Sequence, residues 1–265
     1  PARVEELIRG RFAAIPPASG ARPRVAYPVP DHDATLTTIV TDPEATTTMV
    51  RVLHKLPKEE LVTEQDYRRS LVENLYDGML NRRLQERTRE ADPPFLMAFG
   101  GSGNLVREKG SYSLIEVVDE GGLDRGLEAL LTEAERVRRH GFEPTELERE
   151  KAAYLRAMEQ SYRERDKVPS AALADEYVRL FLEREAAPGI AFELALVREH
   201  LPGITLAEVN ALSRRLLAGS SRVVAVSAPE KAGLAPPDEA AIATLLARVE
   251  AADLAPYRAL VADQP

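Results

Sequence analysis

Four histidines and one glycine-rich run are the residues whose types could carry chemistry in this chain. His32 lies in Asp31-His32-Asp33, a triplet that can bind a cation but reads more simply as a polar loop. His54 precedes Lys55 inside a strand-like run and is read as an ordinary strand position. His140 closes a helix ending Arg136, Arg138, Arg139, where positive charge complements the helix dipole. His200 needs more thought, because Leu196-Val197-Arg198-Glu199-His200 keeps the last two positions of the inverted zinc motif H-x-x-E-H. That motif works by placing two imidazoles four residues apart on one helical face, with a glutamate as general base. Leucine stands at the first position here, so a ligand is missing and the face is apolar.

Gly100-Gly101-Ser102-Gly103-Asn104 resembles a phosphate loop but lacks the third glycine of G-x-G-x-x-G and any P-loop lysine. It leads into a turn rather than a helix, so a β-bulge or a strand segment is expected. Ser102, Ser111 and Ser113 have no nucleophile-elbow context. The basic cluster Arg82, Arg83, Arg87, Arg89, interleaved with Glu86 and Glu90, reads as a solvated helix face. The absence of cysteine removes disulfides, thiolate nucleophiles and cysteine-ligated metal together. From the residues alone, the expectation is no catalytic, cofactor-binding or metal-binding residue in this chain.

The elements that would position these residues are clear. Tyr67, Leu71, Val72, Leu75, Tyr76, Met79, Leu80 and Leu84 recur at three- and four-residue steps in a helix predicted from Thr63 to about Ala91. Thr63 is its cap, and Asp92-Pro93-Pro94 its stop. Strands are predicted over Leu36–Thr41 and Thr47–Leu56 before it, with Asp42-Pro43-Glu44-Ala45 a turn or crossing between them. After it come Phe95–Asn104 and Ser111–Val118, joined by a turn at Glu108-Lys109-Gly110. Helices follow over 122–141, from Pro144 to about Arg165, from Ser170, from about Ile190 to Leu201, and from the capping-box pair Thr205 and Glu208 to Gly219. Arg222–Ala228 is apolar enough for a central strand, and Asp238 to about Asp253 gives a last helix. This order implies an α+β fold, a mixed, mostly antiparallel sheet covered by helices.

At 265 residues and 44% hydrophobic, the chain can bury a sizeable core. A net charge of −8 argues against a nucleic-acid binder, which needs a concentrated basic surface. No run of 18 apolar residues is present, so no membrane span is expected. The opening residues Pro1 to Pro17 lack signal-peptide organisation and begin within an amphipathic helix, without methionine, as expected of a segment cut from something longer. The composition predicts a terminal helix over 1–16, a proline-rich linker over 17–30, a domain over 31–253, and the start of another linker over 254–265.

Several stretches together resemble the insulinase/pitrilysin zinc peptidases, mitochondrial processing peptidases among them. They are the Thr35–Glu60 region with Asp42-Pro43-Glu44-Ala45-Thr46, the long helix with Asn81-Arg82-Arg83-Leu84, and Gly110-Ser111-Tyr112-Ser113. The block from Gly122 through Leu155 and the Thr205–Asn210 opening fit as well. The likeness covers nearly the whole chain; no single motif is diagnostic, but their order and spacing together are specific. It is to the second, non-catalytic domain, with Pro1 to Pro17 resembling the last helix of the upstream catalytic domain.

In that family the active domain carries H-x-x-E-H on the helix after its first strands. The resemblance puts that position at Ser70-Leu71-Val72-Glu73-Asn74-Leu75, which holds no histidine, so the zinc ligands transfer to no residue here. It implies a chamber-forming domain of a zinc metalloendopeptidase that hydrolyses peptides, inactive by itself, with zinc in the upstream catalytic domain. The implied partners are that catalytic domain, within the same polypeptide, and a peptide substrate; the implied compartment is the periplasm. Two alternatives stay open: a structural or assembly subunit of the same fold, and a small-ligand domain resting on Gly100–Gly103.

Overall fold

The computed structural model describes every residue except 1, 17, 18, 21, 24, 26, 234–236 and 259–265. Parts of the predicted linkers over 17–30 and 254–265 therefore lie outside the described residues. Five strands form one sheet: β1 (Leu36–Asp42), β2 (Thr48–Pro57), β3 (Met97–Val106), β4 (Lys109–Val118) and β5 (Arg222–Pro229). Their order is β1-β5-β2-β4-β3. Only β1 and β5 run parallel; the other neighbours are antiparallel. The α+β expectation is met. The Asp42–Ala45 break is the crossing rather than the turn, because β5 comes between β1 and β2, an interior place that suits its unbroken apolar run.

The helices are α1 (Ala2–Phe12), α2 (Glu64–Arg87), α3 (Leu123–His140), α4 (Pro144–Arg163), α5 (Ser170–Glu183), α6 (Ile190–His200), α7 (Leu206–Leu216) and α8 (Glu239–Ala251). Capping boxes open α2 and α7. The Thr63 hydroxyl accepts from Asp66 N–H at 3.2 Å while the Asp66 carboxylate accepts from Thr63 N–H at 2.9 Å, and Thr205 with Glu208 does the same for α7. Helix α2 ends at Arg87, four residues short of the predicted end at about Ala91. The Thr88 hydroxyl donates to the Gln85 carbonyl at 2.8 Å, and Arg89 and Glu90 close three-residue turns, so the helix has unwound before the prolines.

Alternation along the strands separates two faces. Val50, Val52 and His54 of β2 lie in register with Glu116, Leu114 and Tyr112 of β4, and all six are buried under the helices. Tyr76 of α2 packs edge-on against Tyr112 and Phe142, with centroids 6.0 and 5.3 Å apart. Gly100 of β3 is where helix and sheet come closest. A Cβ there would lie 2.9 Å from the Tyr112 hydroxyl and 3.1 Å from Leu80 Cδ2. Asn81 of α2 bridges the same residue, donating to its carbonyl at 2.9 Å and accepting from its N–H at 2.7 Å. The glycine run is thus a strand segment; the irregularity of the β3–β4 ladder falls between Asn104 and Val106 instead. The hairpin turn is Arg107-Glu108, earlier than predicted.

The solvated-face reading of Arg83 is overturned. Arg83 is 2% exposed and grips Glu146 through two bonds of 2.8 and 2.7 Å, with Glu133 at 3.1 Å and the Gly141 carbonyl at 3.2 Å. Phe142 and Tyr257 lie against its guanidinium, 4.9 and 4.0 Å to the ring centroids. Seven residues after Tyr76, it falls on the buried stripe of α2, and helical periodicity outweighs the charged neighbours in sequence.

Candidate functional site

The four histidines do not meet. His32 is tied to its own loop and to the loop before β5: its Nδ1 lies 2.6 Å from the Ala34 carbonyl and its backbone N–H donates to Ser221 Oγ at 3.2 Å. Asp31 beside it takes Lys109 at 2.6 Å and the Ser221 hydroxyl at 3.0 Å, which uses the carboxylate for stitching rather than for a cation. His140 contacts the Leu254 carbonyl at 2.6 Å. His200 ends α6 with Nε2 buried and without a hydrogen-bond partner among the described residues, while Leu196 and Val197 of the same helix are core residues. Among the described residues, no three His, Cys, Asp or Glu side chains converge as metal ligands would.

The stretch Ser70–Leu75, where the resemblance implies a zinc motif in a catalytic domain, is fully engaged in other ways. Leu71, Val72 and Leu75 are in the core, at 1, 6 and 0% exposed. The Ser70 hydroxyl donates to the Tyr67 carbonyl at 2.7 Å, Glu73 pairs with Arg215, and Asn74 donates to the Tyr154 hydroxyl at 3.3 Å. Three aliphatic side chains, a serine turned onto its own helix and an ion-paired glutamate do not fit zinc.

His54 differs from the plain strand position expected of it. It is 4% exposed, faces the helices, and its Nδ1 lies 2.7 Å from the Ala218 carbonyl. Burial, aided by nearby Arg222, lowers its pKa to about 4, so the ring is neutral. Its face could have been read from alternation with Val50 and Val52; its partner, 164 residues away, could not. Glu116 on the same side of the sheet is fully buried, neither carboxyl oxygen has a hydrogen-bond partner among the described residues, and burial pushes it up to about 9. Burial likewise raises Asp77 of α2 to about 7.

The opposite face of the sheet presents apolar side chains to solvent. One row across it reads Val40, Ser227, Met49, Val117, Met97, and the next Thr38, Ala225, Arg51, Ile115, Phe99. Val40, Met49, Met97 and Phe99 remain 39 to 59% exposed. Ser111 and Ser113 also point to this side, opposite Lys55 and Leu53 and away from His54. Exposed apolar patches of this kind commonly mark interaction surfaces.

No protein-family model matches the chain. A zinc protease PQQL-like protein of Arabidopsis thaliana is 30% identical over 229 residues, which is 86% of this chain. The chain spans about a fifth of that relative's length, 21%. Among solved structures, the first half of the periplasmic protease PqqL from Escherichia coli superposes with a TM-score of 0.84 at 18% identity, over 97% of this chain and 55% of that one. A peptidase M16 inactive domain from Pseudomonas fluorescens gives 0.59 at 14% identity, over 90% of this chain and 53% of the other. Kinship in sequence with a zinc protease, carried on the fold that such proteases share, makes this chain a member of the insulinase/pitrilysin family.

Proposed function

We propose that this chain is a non-catalytic, chamber-forming domain of a zinc metalloendopeptidase that hydrolyses peptides. The observation that carries the reading is the commitment of Ser70–Leu75 to packing, hydrogen bonds and an ion pair, at the place where a catalytic domain of the family needs its ligands. Likeness to an inactive domain of the same fold supports it, as does the uncovered apolar sheet face. Residues 31–253 form the domain and 17–30 the linker before it. Residues 1–16 are the terminal helix of the upstream domain, in keeping with the unburied Val4, Leu7, Ile8 and Phe12 of α1, and 254–265 begin a further linker. Its partner is the catalytic domain of the same polypeptide, which holds the zinc. The periplasm is the compartment, as for the similar PqqL protease.

The test is peptide hydrolysis by the full-length protein, by a deletion of this domain, and by alanine variants of His32, His54, His140 and His200, each checked for folding and zinc content. Deletion should lower kcat/KM by at least ~10-fold, a loss of ~1.4 kcal/mol in transition-state stabilisation, because catalytic geometry needs external support. Each folded histidine variant should keep kcat within a few-fold. Full activity in the deletion, or abolition by one well-folded histidine variant, rejects the assignment.

A further inference from the structure

Away from the uncovered sheet face, a cavity of about 490 Å³ descends between α3, α7 and α8 to the helix-covered side of the sheet. His54 of β2 and Leu114 of β4 lie at its floor, and Leu131, Leu246 and Val249 form apolar walls. Charged residues line its rim, and their pairings decide its polarity. Glu135 is occupied by Arg138 and Arg139, at 2.6 and 2.5 Å, and Glu250 by Arg222 at 2.6 Å. Arg214, on the exposed side of α7, makes no hydrogen bond or ion pair with any described residue. The uncommitted charge at the mouth is therefore one guanidinium.

The floor is equally specific. The Nδ1 contact with the Ala218 carbonyl requires the proton on Nδ1, since a carbonyl only accepts. Nε2 is then a lone-pair acceptor, and it has no partner among the described residues. An unpartnered ring nitrogen on a cavity-lining histidine, apolar walls and a free cation at the mouth are the ingredients of a small-molecule pocket, and the volume is in the usual range for one.

We propose that this cavity binds a small organic anion: its carboxylate on Arg214, its apolar body between α3 and α8, and a hydroxyl or N–H donating to His54 Nε2. Arginine suits the first role, because its planar fork matches a carboxylate. The site is independent of peptide hydrolysis and of where zinc is held.

The probe is 4-(4-hydroxyphenyl)butanoate, titrated into the 265-residue chain by calorimetry, with the His54 ring followed by NMR. One saturable site with perturbed His54 ring signals is expected. Arg214→Gln, a change at the exposed rim, should weaken binding at least ~10-fold. Tyramine, which keeps the phenol but carries a cation, should bind at least ~10-fold more weakly, and 4-phenylbutanoate, without the donor, several-fold more weakly. Ala134→Leu, which narrows the cavity from α3, should abolish binding. No saturation up to ~10 mM would overturn the proposal, that being weaker than a built site gives. So would unmoved His54 signals, or equal affinity for Arg214→Gln or for tyramine.

Discussion

At the scale of single residues, the buried ionisable groups give stability a definite pH dependence. Glu116 holds its proton in the folded chain to about pH 9, against the ordinary carboxylate range when unfolded. Between those values the folded state binds one more proton than the unfolded, so stability is greatest at the acid end and falls as pH rises. The slope from this one group is at most ~1.4 kcal/mol per pH unit. Glu116→Gln should flatten it, and urea denaturation from pH 5.5 to 8.5 with parallel slopes for both proteins would contradict the neutral-acid reading. His54 works in the opposite direction. Its folded pKa is depressed, so its contribution is present above about 6.5 and is lost as pH falls through about 4. Arg83 poses the sharpest residue-level test. Arg83→Met leaves Glu133 and Glu146 buried without their shared cation and should cost ~3–5 kcal/mol in equilibrium unfolding. A loss under ~1 kcal/mol would mean the carboxylates are solvated after all.

Among the elements, Gly141 shows how a turn residue becomes a packing residue. It ends α3 at φ +73°, and a Cβ there would lie 2.5 Å from Asn210 Nδ2 of α7, whose Oδ1 accepts from Phe142 N–H at 2.8 Å. Gly141→Ala should therefore destabilise by ~1–3 kcal/mol, more than a helix stop alone would cost, as read by thermal unfolding. The end of the helix at Gly141 was legible in the sequence; the asparagine pressed against it was not. The same division holds elsewhere. Periodicity identified α2 and its inward residues, β-branched composition identified β1 and β2, and an apolar run identified β5, because these signals are local. The insertion of β5 between β1 and β2, the burial of Arg83 and the contact of His54 with Ala218 join residues far apart in the chain, where no local pattern reports them. At the N-terminus, α1 buries none of its residues, so deleting residues 1–16 should change the unfolding free energy by less than ~0.5 kcal/mol. A loss of several kcal/mol would show that this helix packs on the present core, and the proposed boundary at 16 would fall.

At the scale of the whole molecule, the two faces of the sheet are under different constraints. The helix-covered face is packed except at the cavity beside His54, and its stability comes from Val50, Val52, Tyr112, Leu114 and the buried stripe of α2. The uncovered face leaves Met49, Met97 and Phe99 partly in water, where apolar side chains contribute little to folding this chain. If that face meets the catalytic half of the proposed peptidase or its substrate, charge placed on it should harm function without harming the fold. Met49→Glu with Phe99→Glu puts two carboxylates on adjacent rows of the open face. In the 265-residue chain the double variant should shift the unfolding free energy by less than ~1 kcal/mol, since neither side chain is in the core. In the full-length protein it should lower kcat/KM for peptide hydrolysis at least ~10-fold, through desolvation of unpaired carboxylates at a contact that is otherwise apolar. Unfolding of the isolated chain would show that the face is part of its own core. Unchanged hydrolysis by a stable full-length variant would show that neither the catalytic half nor the peptide uses this face, and the apolar rows would need another occupant.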